Sequence, residues 1–139
     1  MAIINSASAH WAGTLKEGGG HFTTRSGVLA DIPYTFAQRF EGAAGTNPEE
    51  LIGAAHAACY AMFLSALMSG AGITGIDVAA TSTITLDPAG PTVTGAHLTV
   101  VAKGDAEAAK ITELAEEAKA KCPISKLLKA EVTLEVTVG

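Results

Sequence analysis

Asn47-Pro48-Glu49-Glu50-Leu51-Ile52-Gly53-Ala54-Ala55-His56-Ala57-Ala58-Cys59 is the stretch that decides the fold. Asn47 is a good helix N-cap, and Pro48 suits the first helical position, where its missing N–H costs nothing. Glu50 falls at the third position, from which a carboxylate reaches back as in a capping box. Glu49 beside it has no such duty and is free for another task. From Leu51 to Met68 no residue is charged, and about 18 such residues is the lower edge of a membrane-spanning helix. Much of the run is alanine and glycine, only weakly apolar, and it includes His56 and Ser65. The expectation is therefore a fully buried helix of a soluble domain, with no membrane partner. Gly53, Ala57 and Ala61 fall four apart, as do Ala54 and Ala58. Such small faces let a second helix approach closely, which points to a helix-paired dimer; the bland alternative is that alanine simply favours helix.

Upstream, His10 to Lys16, His21 to Ser26 and Tyr34 to Phe40 are strand candidates, separated by Gly18-Gly19-Gly20 and Asp31-Ile32-Pro33. Downstream, Gly70-Ala71-Gly72 ends the helix. Ile76 to Leu86 and Val93 to Val101 form a hairpin pattern around Asp87-Pro88-Ala89-Gly90-Pro91. A second helix is expected from a cap at Asp105, with Ala108, Ile111, Ala115, Ala118 and Cys122 on one inward stripe. Pro123 disfavours helical dihedrals at Cys122, so a break belongs there. After a short helix to Lys129, residues Glu131 to Val138 alternate as a strand with one wet face. No repeat or long linker divides the chain. The expectation is one domain over residues 1–139, of α+β class.

Composition narrows the function. The chain has 139 residues, 48% of them hydrophobic, enough for a core without disulfide staples. The net charge is -5 and the only arginines are Arg25 and Arg39, so no basic patch for nucleic acid is visible. The start, Met1-Ala2-Ile3-Ile4-Asn5-Ser6, lacks a basic segment followed by a long apolar one, so no secretion signal is expected. That places the chain in the cytoplasm, where a permanent disulfide is disfavoured and a transient catalytic one is not.

The two cysteines, Cys59 and Cys122, form no CxxC, so a zinc or thioredoxin-type reading lacks its spacing. They are either inert core thiols or a distant pair, one reacting and the other closing a disulfide onto it. Burial silences a thiol by raising its pKa. Cys59 also lies about three turns into its helix, beyond the reach of the N-terminal dipole. A cation from elsewhere must activate it, and Arg39, shortly before the helix, is the candidate. Glu49 could hold its guanidinium in a bidentate pair. The alternative leaves Arg39 and Glu49 as solvated surface charges. His56 shares a face with Cys59 and could be a base or a metal ligand, but a hydrogen-bonded structural role is the better expectation. No metal site or phosphate cradle is expected, since the loop before Asn47 lacks Gly-Lys-Ser/Thr.

Residues Phe40 to Cys59 and Lys121-Cys122-Pro123-Ile124-Ser125-Lys126-Leu127-Leu128-Lys129-Ala130-Glu131-Val132-Thr133-Leu134 closely resemble the two signatures of the OsmC/Ohr family. The resemblance extends over essentially the whole chain, including His10-Trp11 and Ser26-Gly27-Val28-Leu29. It is nearest the OsmC (osmotically inducible protein C) branch. It implies an OsmC-like fold, with antiparallel sheets wrapped around two central helices in an intertwined homodimer. It also implies a thiol peroxidase without a cofactor, active in oxidative or osmotic stress. Cys59 then matches the peroxidatic cysteine, Cys122 the resolving one, and Arg39 and Glu49 the activating arginine and its carboxylate partner. The implied partners are a hydroperoxide substrate and an external dithiol reductant of lipoyl type. Tyr60, Met62, Phe63, Leu64, Phe36 and Phe40 favour an organic hydroperoxide over hydrogen peroxide, although the same residues could simply be core. The rival readings are a stoichiometric thiol redox sensor and a binding module for a small apolar ligand.

Overall fold

The computed structural model describes residues 1–139, which fall into two compact units, Met1–Pro48 and Glu49–Gly139. In the first unit, β1 (Ala7–Ala12), β2 (Gly19–Thr24) and β3 (Ile32–Tyr34) form an antiparallel sheet in the order β1-β2-β3. Gly20 pairs with Trp11 on one side and Tyr34 on the other. A Cβ there would sit 2.9 Å from each of those rings and closer still to the His10 carbonyl, so only glycine fits. The two rings meet across it with centroids 5.4 Å apart.

The third strand candidate is corrected. Strand structure stops at Tyr34, and Phe36–Phe40 is a short helix, α1. Thr35 decides this locally, because its hydroxyl accepts the Gln38 N–H at 3.4 Å and caps the helix. Gln38 then fastens the following loop, donating from Nε2 to the Ala44 carbonyl at 2.9 Å. Its own carbonyl accepts the Asn47 side-chain amide at 3.3 Å.

The second unit is built on α2 (Pro48–Gly70), which starts at the expected proline. β4 (Asp77–Asp87) and β5 (Thr92–Lys103) form the expected hairpin, and β6 (Glu131–Val138) is the expected alternating strand. One feature departs from a purely antiparallel architecture: β6 pairs with β5 in parallel, giving a mixed sheet in the order β4-β5-β6. The reason is the crossover. α3 (Ala108–Lys121) and α4 (Pro123–Leu127) carry the chain back along the sheet before β6 begins, as a parallel pair requires.

Ala96, Leu98, Val100 and Ala102 of β5 point inward at every second position and are buried. Leu98, Val100 and Ala102 meet Tyr60, Leu64 and Met68 of α2 and Ile111, Leu114, Ala115 and Ala118 of α3 in one core. The α3 stripe is as expected, but Asp105 does not cap it. Glu107 occupies the cap position, and Asp105 instead accepts the Thr74 hydroxyl at 3.0 Å. Cys122, at φ -60° and ψ 138°, breaks the helix before Pro123.

Nor is α2 fully buried within the chain. Its covered stripe is Glu49, Gly53, His56, Tyr60, Leu64 and Met68, while Ala54, Ala55, Ala58 and Met62 are exposed. A sheet covers one side of a helix only. By length and composition alone this helix could also cross a membrane. Gly53 serves the chain's own sheet: a Cβ there would lie 2.8 Å from the Ser82 carbonyl oxygen of β4.

Candidate active site

Two elements of the second unit bring the thiols together. Cys59 lies half-buried on α2, and Cys122 lies fully buried at the α3–α4 break. Both are free thiols. The Cys59 thiol lies near enough to Cys122 and to the Ile124 backbone N–H for each to bear on its ionisation. Burial pushes the Cys59 thiol up, the Ile124 N–H pulls it down, and the neighbouring Cys122 raises it again, with a net upward shift. As it stands the thiol is held protonated rather than activated.

Cys122 is itself anchored. Its sulfur accepts the Ser125 N–H at 3.3 Å, capping α4, and its thiol donates to Ser125 Oγ at 3.2 Å. Beyond Ser125 the hydrogen bonds continue. His56 Nε2 lies 2.8 Å from Ser125 Oγ, and His56 Nδ1 lies 2.7 Å from Ser82 Oγ. His56 is therefore hydrogen-bonded at both nitrogens, and burial lowers its pKa. Ser82 and Ser125 were invisible as site residues in the sequence. Only the position of Ser125, three after a cysteine placed before a proline, hinted that it would face the thiol.

Glu49 is buried in the first turn of α2, about 15 Å along the helix axis from Cys59 at 1.5 Å per residue. Within one helix the two do not meet. Arg39 ends α1 in the first unit, its guanidinium 5.4 Å from the Phe40 ring centroid. A cleft of about 210 Å³ lies there, with Arg39 among walls made chiefly by Trp11, Leu15, Tyr34, Phe36 and Phe40. It is an apolar cleft with one permanent cation. No set of three His, Cys, Asp or Glu side chains is arranged to hold a metal ion.

The family model for OsmC-like proteins matches residues 41–137. Peroxiredoxin OsmC of Escherichia coli (strain K12) is 46% identical over 138 residues, which cover 97% of this chain and 96% of that one. Among solved structures, the organic hydroperoxide resistance protein OhrB of Bacillus subtilis superposes with a TM-score of 0.66 at 27% identity, covering 96% of this chain and 98% of that one. An OsmC protein from Legionella pneumophila has the same fold, with a TM-score of 0.72 at 22% identity over 100% of this chain and 98% of its own. With a family match over most of its length and a full-length relative at this identity, the chain belongs to the OsmC family.

Proposed function

We propose that this chain is a thiol peroxidase that reduces organic hydroperoxides through Cys59 and Cys122. The observation that carries the reading is that two free thiols, far apart in sequence, are brought close enough to perturb one another. The names of its relatives, a peroxiredoxin and an organic hydroperoxide resistance protein, support the same chemistry.

In the proposed cycle the Cys59 thiolate attacks the outer oxygen of ROOH. The O–O bond breaks, ROH leaves with one proton, and Cys59 becomes a sulfenic acid. Cys122 attacks that sulfur, the S–O bond breaks, water leaves and a Cys59–Cys122 disulfide forms. An external dithiol, for which the family resemblance favours a lipoyl type, returns the two electrons by exchange. A reducing cytoplasm is the setting that keeps such a pair cycling.

Because Cys59 is held protonated, the cycle needs a cation, and we assign that role to Arg39, oriented by Glu49. About 15 Å along one helix is more than a single guanidinium spans. The pair therefore serves Cys59 across a homodimer in which two copies of α2 pack on their small faces. The exposed Ala54, Ala58 and Met62 face supports this, since it leaves much of an apolar helix uncovered in one copy. Light scattering should give a molar mass twice the chain's 14.0 kDa; a monomer at micromolar concentration would remove the cross-dimer assignment. The aromatic cleft beside Arg39 supports an organic substrate, each buried methylene of which would contribute about 0.8 kcal/mol.

The test is a thiol count on reduced protein after one equivalent of cumene hydroperoxide. The expected result is rapid loss of both thiols and a Cys59–Cys122 linked peptide in the digest. Two intact thiols after minutes would make the cysteines structural and sink the proposal.

A further inference from the structure

We propose that His56 and Ser125 form a proton relay that takes the proton from Cys122 when it resolves the Cys59 sulfenic acid. The inference rests on the two-cysteine cycle above and adds to it two residues with no assigned role.

Cys122 is fully buried, so no bulk water stands ready to accept its proton. The structure offers one continuous path. The Cys122 thiol donates to Ser125 Oγ at 3.2 Å, Ser125 Oγ lies 2.8 Å from His56 Nε2, and His56 Nδ1 lies 2.7 Å from Ser82 Oγ. Ser125 has a single hydroxyl hydrogen. If it accepts from Cys122, its own hydrogen points to His56 Nε2, which must then be the unprotonated nitrogen. Nδ1 carries the proton and donates it to Ser82. The network fixes the tautomer that can act as an acceptor.

The same contacts serve the product of the transfer. As the Cys122 sulfur attacks the Cys59 sulfur, its proton passes to Ser125 Oγ and the Ser125 hydrogen passes to His56 Nε2. The two hydrogen bonds of Ser125 Oγ reverse direction and none is lost, while His56 Nδ1 still donates to Ser82 and the Ser125 N–H stays on the developing thiolate. The S–S bond forms, the S–O bond breaks, and the departing hydroxide takes a proton from solvent and leaves as water. When the dithiol reduces the disulfide the path runs in reverse: His56 Nε2 gives its proton to Ser125 Oγ and the Ser125 hydrogen passes to the Cys122 thiolate, restoring the tautomer with its proton on Nδ1. The downward shift of His56 by burial favours that release and keeps the ring neutral before each turnover.

The other titratable groups around the relay do not substitute for it. Tyr60 donates its hydroxyl to the Ala115 carbonyl at 3.0 Å, and burial, Glu116 and Cys122 all push its pKa up, beyond the ordinary tyrosine range. Glu116 is exposed on α3 and paired with Lys119 at 3.2 Å. Glu49 lies two turns earlier on α2 than His56, and Cys59 is the electrophile at this stage.

The test separates the two chemical steps in full-length protein. Wild type, His56→Gln, Ser125→Ala and Ser125→Thr are each reduced and mixed with one equivalent of cumene hydroperoxide. Sulfenic acid is trapped with a cyclic 1,3-diketone, and the disulfide is read by intact mass after acid quenching. The expected result is sulfenic acid formation at the wild-type rate in all four. Disulfide formation should be about 100-fold slower in His56→Gln and Ser125→Ala, the ordinary scale of a lost general base, and be restored in Ser125→Thr. A wild-type disulfide rate in both slow-step variants overturns the relay and leaves the two-cysteine cycle standing. Equal slowing of both steps overturns it in favour of a packing role. Absence of trapped sulfenic acid and disulfide in wild type overturns the cycle, and the relay with it.

Discussion

Cys59→Ser is expected to abolish turnover of organic hydroperoxide, by more than about 1,000-fold, with the fold unchanged. The scale is that of removing a nucleophile on which every later step depends. A serine hydroxyl does not form the sulfenic acid, so Cys122 has nothing to attack. Cys122→Ser should behave differently. It should consume about one equivalent of hydroperoxide per chain and stop, leaving a Cys59 sulfenic acid that the diketone traps. A steady-state assay with a lipoyl-type dithiol checks the first variant and a single-turnover assay the second. Arg39→Ala belongs to the same series, and it should slow the first step about 100-fold, the scale of one electrostatic donor lost from a site. Because Cys59 in its own surroundings is pushed toward the protonated form, unchanged Cys59 reactivity in Arg39→Ala at neutral pH would remove Arg39 from the mechanism. Full turnover by Cys122→Ser would remove Cys122.

The second large effect is on stability. Leu98 sits on β5, the middle strand, opposite Ser82 of β4 and Leu134 of β6. It is fully buried in the cluster that joins the sheet to Tyr60 and Leu64 of α2 and Ile111 of α3. Leu98→Ala should cost about 3 to 4 kcal/mol, because it removes buried methylenes and leaves a hole that two helices and two neighbouring strands hold open. In urea the midpoint should fall by about 1 to 2 M with the slope unchanged. A shift below a few tenths of a molar would mean that α2 and α3 collapse into the space, and that the core is looser than the interlocked stripes imply.

Much of this architecture was legible in the sequence. Asn47-Pro48 and the uncharged run after it located α2, and strict alternation located β6. The β4–β5 hairpin followed from its turn residues, and the break at Cys122 followed from Pro123. What escaped has physical reasons. Five residues are too few for a helical period to show, and Phe36 and Phe40 favour strands, so α1 was decided by the Thr35 hydroxyl alone. Parallel pairing of β6 depends on where the α3–α4 crossover returns the chain, which alternation does not encode. The inward face of α2 was ambiguous because small residues line every side of it. The Ser82 carbonyl settles it by leaving no room for a Cβ at Gly53. The site was half legible: cysteines announce themselves by rarity. Ser82, His56 and Ser125 come from three separate elements, and serine is too common to attract notice.

The parallel β5–β6 pair also has a consequence for the order in which the molecule is made. The β4–β5 hairpin is closed by a short turn and can zip within microseconds, whereas β6 must wait for α3 and α4 to traverse the sheet. Until it docks, β5 has a bare edge, and the segment carrying Cys122 is fixed at one end only. Cys59 is synthesised earlier, on α2. A folding chain therefore passes through a stage in which it holds a thiol that can be oxidised before the one that resolves it is in place.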